Sequence, residues 1–240
     1  MLPTAPLRWA SSTESTAVIA DDESRCLAEL NEKHMEFVFF SADTNQNKEN
    51  KEKAREYVMQ LLNSAENECL ICDPYFKKED FEKYIFFMEK LDVKVRIINS
   101  EKQLGNISAP DSEDYLLKLN DCINYYNRKV GREVAECRSL TKNLSIHDRF
   151  IIIDDCGWLI GSSLNEFGNR ASSICKIPQG SLEYMRKNFE RWWNDTENSE
   201  SLDGYIQRKV KLNASPEGKL LKHITHLTRV LNSLKSQLAK

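Results

Sequence analysis

Ser145-Ile146-His147-Asp148-Arg149-Phe150-Ile151-Ile152-Ile153-Asp154, followed seven residues later by Gly161-Ser162-Ser163-Leu164-Asn165, concentrates the groups of this chain that can do chemistry. An imidazole can serve as nucleophile or general base, a guanidinium can grip phosphate oxygens in a bidentate fork, and hydroxyls and amides can donate to an anion. The run of four large apolar residues from Phe150 to Ile153 reads as a strand buried on both faces, with His147 and Arg149 at its leading end. Extended-chain alternation sends those two side chains to the same side. Asp154 closes that strand, and Gly161 to Asn165 leave the neighbouring strand in a turn where Gly161 permits close backbone approach. The set suits holding a phosphate and attacking it.

The elements that must position these groups can be read from periodicity. Met35 to Ala42 is rich in aromatic residues and reads as a strand, and Lys51 to Asn63 places Ala54, Tyr57, Val58, Leu61 and Leu62 on one helical face. Cys69 to Asp73 reads as a buried strand, Asp80 to Leu91 as an amphipathic helix, and Val93 to Asn99 as a further strand. This βαβ unit should have parallel strands. A helix over Glu113 to Lys129 should end at Gly131. Strands are expected at Glu133 to Leu140, Phe150 to Asp155, Trp158 to Ser162 and Ser172 to Ile177, with Asp155-Cys156-Gly157 as a hairpin turn, and a helix at Ser181 to Trp193 capped by Ser181. The predicted fold class is α/β, a mixed, largely parallel sheet with helices on both faces, plus a C-terminal amphipathic helix.

Three regions are expected: an N-terminal arm over 1–24, a domain over 25–205 and a basic helical tail over 206–240. The 240-residue chain carries a net charge of −3, which offers no chain-wide basic field for nucleic acid or anionic lipid. Residues 206–240 nonetheless hold eight Lys and Arg against Glu217, a net +7 that leaves −10 on the remainder. In that tail Leu220, Ile224, Leu227, Leu231, Leu234 and Leu238 recur at heptad spacing, consistent with a coiled-coil seam or with a helix packed on its own domain. Seven cysteines, an odd number in a chain of this length, read as reduced thiols of a cytoplasmic protein. Cys69-Leu-Ile-Cys72 lies in a strand pattern and reads as buried core; no metal site is expected, and His223 and His226 read as solvated. No apolar run approaches membrane-spanning length, so no membrane association is expected.

The spacing His147-x-Arg149-x4-Asp154-x6-Gly161-Ser162, with Asn165 after it, resembles the signature H-x-K-x4-D-x6-G-S-x-N of the phospholipase D superfamily. The strand-helix-strand unit upstream also looks like that family's, so the resemblance spans roughly residues 35–195 and is nearest to its single-motif bacterial, nuclease-like branch. Two departures stand out: Arg149 takes the lysine's place, and Asn165 lies one residue late with no downstream carboxylate nearer than Glu166. The resemblance implies a metal-independent phosphodiesterase, a nuclease preferring DNA over RNA, that works without a cofactor through a phosphohistidine, with a setting in anti-phage defence. His147, Arg149, Asp154 and Asn165 would be its catalytic set, and Ser162, Ser163, Glu166 and Arg170 its phosphate-binding set. Read by itself, Asp154 fits a structural acceptor for the neighbouring loop better than a base, and Asp73-Pro74-Tyr75 shapes the strand exit near the site rather than reacting. One motif supplies one histidine, so the site would be completed by a second copy in a homodimer, through the motif face and the 220–238 heptad helix. The alternative is a weakly active or inactive module that binds nucleic acid or a larger effector, such as an ATPase.

Overall fold

The structure, a computed structural model, describes residues 37–41, 47–105, 114–141, 144 and 146–238. The arm expected over 1–24 lies outside the described residues. Eight strands form one sheet: β1 (Phe37–Phe40), β2 (Glu68–Cys72), β3 (Lys94–Ser100), β4 (Ala135–Leu140), β5 (Phe150–Ile153), β6 (Cys156–Ile160), β7 (Ser172–Lys176) and β8 (Ser199–Ser201), in the spatial order β1-β7-β6-β5-β2-β3-β4-β8. The helices are α1 (Asn47–Asn63), α2 (Lys78–Tyr84), the single turn α3 (Glu101–Leu104), α4 (Tyr115–Val130), α5 (Gln179–Trp193), α6 (Leu202–Ala214) and α7 (Pro216–Leu238).

The sheet is mixed, as the sequence pattern implies. Its parallel part is the central β2-β3-β4 unit, built by the predicted crossover, whereas β5, β6, β7, β1 and β8 join antiparallel. On one face Leu70, Cys72, Ile98, Phe150 and Ile152 pack against Leu182, Phe189 and Trp193 of α5. On the other, α2 and α4 close the centre through Phe81 and Tyr126, whose rings meet edge to face at 5.5 Å, and Tyr57 of α1 meets Phe40 of β1 at 6.0 Å. Burial on both faces explains why β2 and β5 read as unbroken apolar runs rather than alternating ones.

Several element ends differ from expectation for local reasons. Helix α2 stops at Tyr84 rather than Leu91, passing into a 3-10 turn at Ile85–Phe87 before Met88 turns extended. Ile153 pairs with Cys156, so the hairpin turn is Asp154-Asp155, one residue earlier than predicted, with Asp154 at φ 44°. Helix α5 begins at Gln179 behind Pro178, and Ser181 lies inside it as a residue donating to the Pro178 carbonyl, not as its cap. Gly131 does close α4 in the left-handed conformation, at φ 82°.

The segment expected as a basic tail is in part a structural clamp. In α6, Lys209 is 3% exposed and its Nζ lies 2.7 Å from Asp114 Oδ2, which also accepts from Tyr205 Oη at 3.0 Å. Oδ1 of Asp114 accepts from the backbone N–H groups of Leu116 and Leu117 and caps α4. Arg208 beside it pairs with Glu101 and Glu200. The Lys209 and Arg208 charges are thus consumed inside the domain. Lys209→Ala leaves a capping carboxylate buried beside an uncompensated space, and urea unfolding should show a loss of about 3–5 kcal/mol. The Lys209→Met, Asp114→Asn pair should recover most of it. A loss below about 1 kcal/mol for the single variant would mean the pair is not buried in solution.

Candidate phosphate-binding site

The site lies at one edge of the sheet and follows from strand pairing. Because β2 and β5 are antiparallel with Cys72 opposite Phe150, the residue leaving β2, Asp73, falls beside the residues leading into β5, Arg149 among them. Strand β6 runs back alongside, Phe150 opposite Leu159, so Gly161 to Ser163 emerge at the same edge. Neighbouring β7 brings Ser172, whose Oγ donates to Ser162 Oγ at 3.0 Å. Alternation places Asp73, Arg149 and His147 on the side of the sheet away from α5.

Asp73 is the hub. At 1% exposure its carboxylate accepts from Ser163 Oγ at 2.7–2.8 Å, from the Leu164 N–H at 2.8 Å and from the Tyr75 N–H at 3.0 Å. Arg149 Nε stands 3.9 Å from Asp73 Oδ1, an ion pair without a hydrogen bond, and the guanidinium lies 5.5 Å from the Tyr75 ring centroid. Burial pushes the Asp73 carboxyl above its ordinary range, against the pull of Ser163, Leu164, Tyr75 and Arg149. Nearby Asp80 is pushed up to about 7, again chiefly by burial, although it accepts from the Lys77 N–H at 3.0 Å. From the sequence alone Asp73 reads as a strand-exit residue. Its hub role depends on which strands are neighbours, and the local sequence does not announce that.

His147 is exposed at this edge and Arg149 is half-buried. Ser163 is buried under Asp73, so it shapes the turn and has its hydroxyl committed, whereas Ser162 is partly open. Two buried polar atoms at the edge, Arg149 Nε and Asn165 Oδ1, have no hydrogen-bond partner among the described residues. A polar ligand that contacts both would satisfy them. Glu166 is exposed and accepts from Asn169 Nδ2 at 3.2 Å, and Arg170 is exposed on the same loop.

Asp154 is not brought to this edge. It sits at the opposite end of β5, where its carboxylate accepts from the backbone N–H groups of Glu66, Asn67 and Glu68 at 2.7, 2.9 and 3.0 Å. What burial there is pushes its pKa up, but the three N–H donors outweigh it and hold the group below the ordinary range. Placing it in the catalytic set is therefore corrected to the structural reading: it ties the loop before β2 to the β5–β6 turn. The two cysteines of Cys69-Leu-Ile-Cys72 are buried three residues apart on one strand, hence on opposite faces of the sheet, and burial raises both thiol pKa values.

Asp73→Ala should cost about 2–4 kcal/mol in chemical unfolding, since it strands the Ser163 and Leu164 donors and the Arg149 charge. Asp73→Asn, which keeps an acceptor, should cost less than half of that. Equal losses for the two would show that the hydrogen-bond geometry around Asp73 carries no weight.

The family model described as "Cardiolipin synthase, PLD-like domain" matches residues 58–193, the stretch from α1 to the end of α5. No curated protein matches the chain. Among solved structures, Nuc of Salmonella typhimurium, a phospholipase D family member, is similar at 18% identity and a TM-score of 0.46, covering 62% of this chain and 90% of its own. A phosphatidylserine synthase of Haemophilus influenzae is similar at 18% and 0.48, over 80% of this chain and 45% of that one. An archaeal chromatin protein whose structure shows a mode of DNA binding is similar at 15% and 0.39, over 73% of this chain and 61% of that one. The chain thus spans less than two thirds of the length of the latter two. With a family match over more than half its length, on a mixed sheet that carries the histidine motif at one edge, this chain belongs to the phospholipase D-like family.

Proposed function

We propose that this chain is a phosphodiesterase, a nuclease acting on DNA in preference to RNA, that cleaves through a phosphohistidine at His147 without a metal ion. The observation that carries the reading is the sheet edge itself. It presents an exposed imidazole beside a guanidinium whose Nε has no hydrogen-bond partner among the described residues, with a serine and an asparagine on the adjoining turn. A ring nitrogen of His147 attacks phosphorus and displaces the leaving oxygen, which takes a proton from a second imidazolium. The resulting neutral imidazole removes a proton from water, and the hydroxide so formed releases His147. Arg149 holds non-bridging oxygens, and Ser162 and Asn165 complete the cradle, with Arg170 of the adjoining loop reaching the flanking phosphate.

The second imidazole comes from His147 of another copy in a homodimer related by a two-fold axis. What supports the dimer reading is the sequence itself, which carries one copy of the histidine motif and so one imidazole for a reaction that needs two. Among the described residues no helix is long and apolar enough to cross a membrane. A cytoplasmic enzyme of anti-phage defence is the setting this reading adopts.

A second reading is favoured by one feature. Asp73 draws on the Arg149 charge, at 3.9 Å, and Tyr75 lies against its plane, so the guanidinium is partly engaged within the fold. On that reading the domain binds nucleic acid or an effector protein without turnover. The two are separated by incubating the protein with single-stranded and duplex DNA and RNA in EDTA. Cleavage is expected, with His147→Ala lowering it by about 10³-fold or more, as for loss of a catalytic nucleophile. Full cleavage by His147→Ala would overturn the proposal; binding without cleavage by the unmodified protein would select the second reading.

A further inference from the structure

Helix α7 leaves the domain with its apolar stripe uncovered. Ser215 ends α6, and its Oγ accepts from the Gly218 N–H at 3.0 Å, which starts the next helix at a sharp corner. A side chain on Gly218 would meet the Leu212 carbonyl oxygen at 1.8 Å, so only glycine allows the two helices to approach this closely. Beyond the corner, Leu220, Ile224, Leu227, Leu231 and Leu234 are 50–65% exposed. The alternative raised by the sequence, a helix packed along its own domain, is not the one observed for these side chains.

We propose that α7 pairs in parallel with α7 of a second copy of this chain as a short two-stranded coiled coil. The spacing assigns Leu220, Leu227 and Leu234 to the d positions of a heptad and Ile224 and Leu231 to the a positions. Leucine at every d with a β-branched residue among the a positions favours two parallel strands. Charge separates this occupant from the others. Beyond Glu217 the helix has no acidic residue, and the heptad spacing assigns its cations Lys219, Lys222 and Arg229 to positions c and f, outside the a and d seam, which leaves Lys235, at e, as the one charge assigned next to it. Like charges therefore do not oppose self-pairing, and an acidic partner helix would find almost nothing at the seam to recognise. A membrane surface is disfavoured because the apolar stripe is wholly aliphatic, without the Trp or Phe that anchor interfacial helices. A helix of 23 residues is about 35 Å long, enough for roughly three heptads and for a modest affinity that a second contact between the domains would reinforce. The pairing does not depend on the shared-site reading, although a parallel pair would hold two domains at the same end of the coil, where such sharing is feasible.

Sedimentation equilibrium of the full chain across low- to high-micromolar concentrations tests the proposal. A monomer–dimer equilibrium is expected, and Ile224→Asp with Leu231→Asp should raise its dissociation constant more than about tenfold, since the charges would be buried unpaired. Lys222→Glu with Arg229→Glu should leave it within about twofold, as should His147→Ala, so failure of the coil and failure of the catalytic reading are told apart. In the oxidised Leu234→Cys variant, near one end of the helix, the interchain disulfide mapped by peptide mass should join position 234 to itself, a pairing that antiparallel helices would hold far apart. A chain monomeric throughout, a seam variant that dimerises like the unmodified protein, capture of the monomer by anionic vesicles or by an acidic helix, or a dimer that forms no 234–234 disulfide would each overturn it.

Discussion

The buried carboxylate of Asp73 is the constraint on which the site depends. It satisfies the turn after β6 through Ser163 and Leu164, the strand exit through Tyr75, and stands beside the Arg149 charge. A charge-bearing group at 1% exposure is costly unless its lone pairs are filled, and every filled lone pair here is a residue of the edge that carries the motif. One residue therefore couples β2, β5 and β6 at the point where His147 is displayed. The opposite sheet edge repeats the device with Asp154, Arg96 and Arg186, which pair with backbone donors or with Glu68 and Glu190. The two ends of β5 thus have different work: one carboxylate fastens a turn, and the other organises the end of the sheet that carries the histidine motif.

Much of the architecture was legible because its signals are local. The apolar run Phe150 to Ile153 and the stretch ending at Cys72 could only be strands covered on both sides, and the intervening helix implied parallel β2 and β3, which is what they are. Gly131 announced a helix end through its tolerance of positive φ. Signals that depend on partners failed. Ser199 to Ser201 carries no strand-like pattern and forms β8 only by pairing with β4, and α6 is recognisable as part of the domain only once Lys209 is seen against Asp114.

The site divides in the same way. His147, Arg149 and the Gly161 to Asn165 turn were visible in spacing, and the sheet brings them to one edge. Asp154 shares that spacing but points its chemistry at the far end, because a four-residue strand separates it from the histidine. Asp73, by contrast, lies over seventy residues upstream and enters the site only through the antiparallel β2–β5 register. Spacing within one motif is read from sequence; convergence of distant strands is not.

The central claim is that His147 is a nucleophile rather than a phosphate-binding group. It is tested by mixing the protein with an oligonucleotide in EDTA, quenching in alkali, where a phosphorus–nitrogen bond to imidazole survives, and mapping the covalent adduct by mass spectrometry. The account predicts a nucleotide joined through phosphorus to the peptide that contains His147. Cleavage that proceeds with no adduct on that peptide, or with the adduct on another residue, would contradict it.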